Sequence, residues 1–261
     1  MQLKNIQVIN GGQTCKTIQE TLNGNLPNIV GQSAYLLIRV YQLADTHREV
    51  VRDITYATNS QNPVDLRDLK SNDEIQKNIE LGLEDLGYTY RRQREEGGGG
   101  SLVITSSIVA EAVLAIWRKR PHQAKFRRKE HFGKLYEDIF KQLNAAQALL
   151  AVLIFRAVEN ERKRPTMITP PDFLPYSSHC IAMLIGRKLL KDKGIPLDQV
   201  FHRNVQELLQ EFEDNQAQYH ADAIQSLETA LKTCYGTRNV SLQQLSATFR
   251  RGDLLEMLDD T

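Results

Sequence analysis

The sequence predicts an α+β fold that is predominantly helical, with a small mixed sheet over about 5–95 and a helical array over about 102–261. Two observations carry this. Ile6–Ile9 and Ala34–Leu43 are short runs rich in Ile, Val, Leu and Tyr, too short for long helices and fit for buried strands. From residue 102 onward, apolar side chains recur almost continuously at helical spacing.

Taken in order, the first strand stops at Asn10-Gly11-Gly12, a strong turn signal, and a helix follows over Gln13–Leu22. Arg48–Thr58 reads as helical and leads into the polar loop Asn59–Pro63. Ser71, with Glu74 three residues on, resembles a capping box opening a helix over Ile75–Leu86, which Gly87 ends. Tyr88–Arg94 is a further strand. The first part is therefore 1–96, and Gly97–Ser101 is a flexible loop with the composition of a linker, natural or engineered. In the second part, helices are expected over Ser106–Lys119, Phe132–Gln142, Ala145–Arg162, Ser177–Lys193, Asn204–Cys234 and Ser241–Asp259. The basic stretch 88–134 straddles the junction, so the two parts are expected to pack as one unit.

Composition narrows the function classes. Across 261 residues, 33 Lys and Arg balance 32 Asp and Glu, which excludes a globally basic coat protein but not a local patch. The cysteines Cys15, Cys180 and Cys234 are far apart, which argues against a disulfide framework and fits a reducing, cytoplasmic setting. No apolar run reaches the length of a membrane span, and the start lacks a signal-peptide core. The histidines show no zinc spacing, so no metal site is expected from them.

Four segments carry possible chemistry. Asn10, Gly11, Gly12, Gln13 and Thr14 sit between a strand and a helix start, where glycines let backbone N–H groups approach a phosphate and the helix dipole favours an anion. Asn59, Gln61 and Asn62 offer amides that satisfy a base, sugar or phosphate without charge. Asp65, Asp68 and Asp73 offer carboxylates for Mg²⁺ beside a phosphate, with capping and surface ion pairs as the plainer reading. No other cofactor suggests itself. The fourth segment, 88–134, holds eleven Lys or Arg against four Glu. Tyr90, Arg91, Arg92, Arg94, Arg127 and Arg128 are its candidate nucleic-acid contacts, the tyrosine stacking on bases and the arginines meeting phosphates. His179-Cys180 is a reactive pair in principle, but its place in an apolar helix favours packing.

Two of these motifs together are more specific than either alone. The run VINGGQTCKTIQETL, followed by ITYATNSQNPVDLRDLKSNDEIQKNIELGLEDLGYTYRR, resembles the abortive-infection phage-resistance family, AIPR. The resemblance rests on Asn10–Thr14; on Ala57, Thr58, Asn59, Gln61, Asn62 and Val64; on Asp68, Leu69, Ser71, Asp73 and Gln76; and on Tyr90 and Arg92. It continues through SSIVAEAVLAIWRKRPHQAK and LYEDIF. A more distant likeness is to DGQHR-motif and ParB-like proteins, whose His and Arg are replaced here by Thr14 and Cys15. The AIPR resemblance also implies a sizeable region ahead of the glycine turn, so a fragment or a minimal member is the expectation.

The resemblance implies a bacterial anti-phage role. The leading expectation is a defence protein that binds a phosphate-bearing ligand, nucleic acid or nucleotide. Two alternatives stay open: a Mg²⁺-dependent nuclease or nucleotide hydrolase using Asp68 or Asp73, and a protein-interaction or phage-sensing module without catalysis.

Overall fold

The chain divides into two compact units, Met1–Val64 and Asp65–Thr261. The computed structural model describes residues 66–93, 100–236 and 238–259, together with 14–16, 18–19 and 40 of the first unit. The expected strand at Ile6–Ile9 and the helix at Arg48–Thr58 lie outside the described residues, as does the expected strand Ala34–Leu43 apart from Val40, which is exposed. Residues 14–16 and 18–19 are helical, within the expected span Gln13–Leu22.

The second unit opens with a short helix α1 (Leu66–Lys70) and then α2 (Glu74–Asp85), which buries Gln76, Ile79 and Leu83 on one face. The expected capping box is absent. Asp73, not Ser71, is the N-cap, so Glu74 stands at the first helical position instead of the third. The Ser71 hydroxyl instead donates to the Asp68 carbonyl at 2.7 Å, closing the end of α1. Two strands follow, β1 (Thr89–Arg91) and β2 (Val103–Thr105), paired in parallel with Tyr90 opposite Ile104. Among the described residues the sheet has these two parallel strands, and the second lies beyond the glycine loop.

β2 runs directly into α3 (Ser106–Ile116), whose N-cap Thr105 accepts a hydrogen bond from the Ile108 N–H. α3 is apolar nearly all round and is the centre of the core. It packs against α6 (Ala145–Lys163) and α7 (Leu174–Lys193), which also pack on each other. The α3–α7 crossing needs Gly186, because a Cβ there would stand 2.3 Å from Ile116 Cγ2 and 3.1 Å from Trp117. The Trp117 indole N–H donates to the Gln147 carbonyl at 2.9 Å, tying the end of α3 to α6. α6 opens with a reciprocal capping box between Asn144 and Gln147.

Between α3 and α6 lie α4 (Pro121–Phe126), a 3₁₀ turn (Arg128–Glu130) and α5 (Tyr136–Phe140). The helix expected over Phe132–Gln142 shortens to α5, and Phe132, Tyr136 and Phe140 form one aromatic cluster there. The span expected as one helix over Asn204–Cys234 is two, α8 (His202–Asp214) and α9 (Gln216–Tyr235). Asn215 separates them, its side-chain amide donating to the Glu211 carbonyl. Likewise, Ser241–Asp259 divides into α10 (Leu242–Arg251) and α11 (Leu255–Asp259) at Gly252, whose φ of +81° suits glycine. Among the described residues, no helix is long and apolar enough to cross a membrane.

Candidate functional site

The residues that carry the second half of the sequence motif hold one another. Tyr90 and Gln76 are buried, and the Tyr90 hydroxyl donates to Gln76 Oε1 at 2.6 Å. The Gln76 amide in turn donates to the Tyr136 hydroxyl at 3.3 Å. Arg92 donates to the Ser71 carbonyl at 2.6 Å and pairs with Glu80 at 3.0 Å, while its own carbonyl accepts from Ser106. This clasp joins α2, β1, α5 and the start of α3. Burial, with Tyr136 beside it, pushes the Tyr90 phenol well above its ordinary value, so it stays protonated and donates.

The expected base-stacking role of Tyr90 fails on burial: at 4% exposure its ring has no open face for a base. Arg92 is likewise committed to Glu80 and Ser71, which argues against a phosphate contact. Arg91 lies on β1 opposite Thr105. Arg94 lies outside the described residues, as do Asn10, Gly11, Gly12, Gln13, Asn59, Gln61, Asn62 and Asp65. Thr14 is helical and exposed. Of the carboxylates offered for Mg²⁺, Asp68 is on α1 and Asp73 pairs with Lys70 at 3.2 Å. Among the described residues, no three His, Cys, Asp or Glu side chains converge as metal ligands would.

The basic stretch separates into structural and exposed cations. Arg118 is structural, its guanidinium donating to the carbonyls of Ile139 and Lys141 at the end of α5. Arg120 pairs with Asp138 at 2.8 Å. Arg127, Arg128 and Lys129 are exposed in succession after α4. Arg127 reaches Glu130 only loosely, at 3.7 Å, while Arg128 bonds Glu111 on α3. α10 brings a further cation, far away in sequence, to this face. Arg250 and Arg251 end α10, which packs on α4, and the Arg250 guanidinium lies 5.2 Å from the centroid of the Phe126 ring. Lys125 Nζ lies 5.7 Å from the same centroid. Nothing local in the sequence joins residues 126 and 250; only the packing of α10 on α4 does.

A second polar cluster lies between α3, α6 and α7. Buried His179 meets Glu111 at 2.7 Å between Nε2 and Oε1. Burial acts to raise the Glu111 carboxyl, but the His179 hydrogen bond and the charges of His179 and Arg128 outweigh it and hold the carboxyl below its ordinary value. Glu159 on α6 is also held low, since hydrogen bonding from Arg162, Nη2 to Oε2 at 2.9 Å, overrides its burial. Glu111, Arg128, Glu159, Asn160 and Lys163 line one shallow cleft. The neighbouring Cys180 is buried, and burial pushes its thiol up to about 12, which makes it a packing residue and not a nucleophile.

No curated protein and no solved structure matches the chain. The family described as AIPR protein matches residues 1–224. That span includes the glycine turn, the amide-rich loop, the clasp and the basic stretch. The chain therefore belongs to the AIPR family, and its role is in phage resistance by abortive infection.

Proposed function

We propose that this AIPR protein acts in phage defence by binding nucleic acid through the basic face of α4, the 3₁₀ turn after it and the end of α10. One observation carries the reading: Lys125, Arg127, Arg128 and Lys129 follow closely on exposed or half-exposed chain, and α10 brings Arg250 beside them. Those five cations meet three carboxylates, Glu111 and Glu130 in ion pairs and Glu159 through its field on Lys125, so the face keeps a positive excess. Such an excess attracts a polyanion by releasing its condensed counterions, independently of sequence. For the first unit taken by itself, the proposal is that the amides of Asn10, Gln13, Asn59, Gln61 and Asn62, with Gly11, Gly12 and Thr14, offer uncharged contacts to a phosphate, sugar or base. Tyr90 and Arg92 hold the fold and take no part in contact.

The test is fluorescence anisotropy of labelled DNA and RNA, single- and double-stranded, against the protein at low and moderate salt. Binding that weakens steeply with salt and is lost on Arg127→Ala/Lys129→Ala supports the reading. Absence of binding at low salt, or binding indifferent to that double substitution, contradicts it.

A further inference from the structure

Phe126 is the last residue of α4, and the residue is 42% exposed. Single exposed apolar side chains are common and need no explanation on their own. This one is bracketed by charge from two separate elements. Lys125 Nζ stands 5.7 Å from its centroid and the Arg250 guanidinium 5.2 Å, both within cation–π range. Arg127, Arg128 and Lys129 continue the chain directly from the ring.

We infer that Phe126 is a stacking platform for an unpaired base, and that the ligand of the basic face is single-stranded nucleic acid. This inference rests on the proposed function and narrows it. A partly exposed aromatic ring offers a base the surface that its two cations leave open, and those cations offer positive charge for the phosphates on either side of it, the combination that single-strand binders use. A duplex presents its phosphates to the same cations but keeps its bases stacked inside, so the ring adds nothing to its binding. A free mononucleotide offers the base but only one phosphate position, and the remaining cations go unused. Arg250 holds a double role, fixing the ring from α10 and meeting phosphate.

Phe126→Leu keeps an apolar side chain against α10 but removes the π-face, and it is the variant to compare with the wild type. The probes are labelled oligothymidylate, labelled oligouridylate and a duplex of the same length. The expected result is an affinity for the single strands about fivefold or more lower in Phe126→Leu, with duplex affinity unchanged. Phe126→Trp supplies a direct readout. The single native tryptophan, Trp117, is buried, so the new indole is the exposed one, and stacking quenches it when oligothymidylate is added. Single-strand affinity unaltered in Phe126→Leu, with no quenching in Phe126→Trp, overturns the inference while salt-sensitive binding leaves the basic face standing. Failure of the wild type to bind any probe at low salt overturns both.

Discussion

His179 on α7 reaches Glu111 on α3 through a 2.7 Å contact between two largely buried side chains, and Arg128, outside the core, bonds the same carboxylate. One carboxylate thus ties the central helix of the core to the first turn of the basic face. Its lowered pKa gives a definite pH signature. A carboxyl held below its unfolded value stabilises the fold fully above that value, here the ordinary 4.5, and the contribution fades as pH falls through the depressed folded value. The thermal midpoint of Glu111→Gln should therefore lie below that of the wild type at neutral pH, with the gap closing in acid. A gap independent of pH would show that the pair contributes through shape alone. At neutral pH, His179→Ala should cost about 1–3 kcal/mol, because it takes a hydrogen-bond partner from the largely buried Glu111 carboxylate.

Tyr90→Phe deletes the donor that satisfies Gln76 Oε1 inside the clasp. A buried acceptor without a partner costs about 1–3 kcal/mol, so chemical denaturation should show a drop of that size. Combined with Gln76→Leu, the two losses should not add, since both remove the same hydrogen bond. Nucleic-acid affinity should be unchanged in Tyr90→Phe. Reduced affinity with unchanged stability would return Tyr90 to the binding surface.

Gly186→Ala should destabilise by about 1–3 kcal/mol, because the new methyl would overlap Ile116 Cγ2 and press on Trp117 where α3 crosses α7. Equilibrium unfolding measures this directly, and a neutral result would mean that α3 and α7 are not in contact at that point.

The helices were legible where apolar spacing and end signals agree. Ala145–Arg162 matches α6 within one residue, and the Ile75–Leu86 reading matches α2 similarly. Merged helices arose where a break rests on one polar residue or one glycine. Asn215 and Gly252 interrupt the backbone without disturbing the apolar periodicity on either side. Ser71 matched the spacing of a capping box because spacing does not reveal which residue takes the N-cap conformation, and here Asp73 does. Tyr90 and Arg92 looked like contacts because alternating aromatic and cationic residues suit both a surface and a clasp. Their partners Gln76 and Glu80 lie on another element, and only the fold brings them together. Arg250 and Phe126, for the same reason, were not readable as a pair.

The most direct test of the basic face is the salt dependence of single-strand binding in the wild type and in Lys129→Ala/Arg250→Ala. If the two side chains neutralise phosphates, the slope of log affinity against log salt should become shallower by about 1.4, at about 0.7 per phosphate contact for single strands, and affinity should fall most at low salt. An unchanged slope with unchanged affinity would contradict a phosphate-binding role for this face.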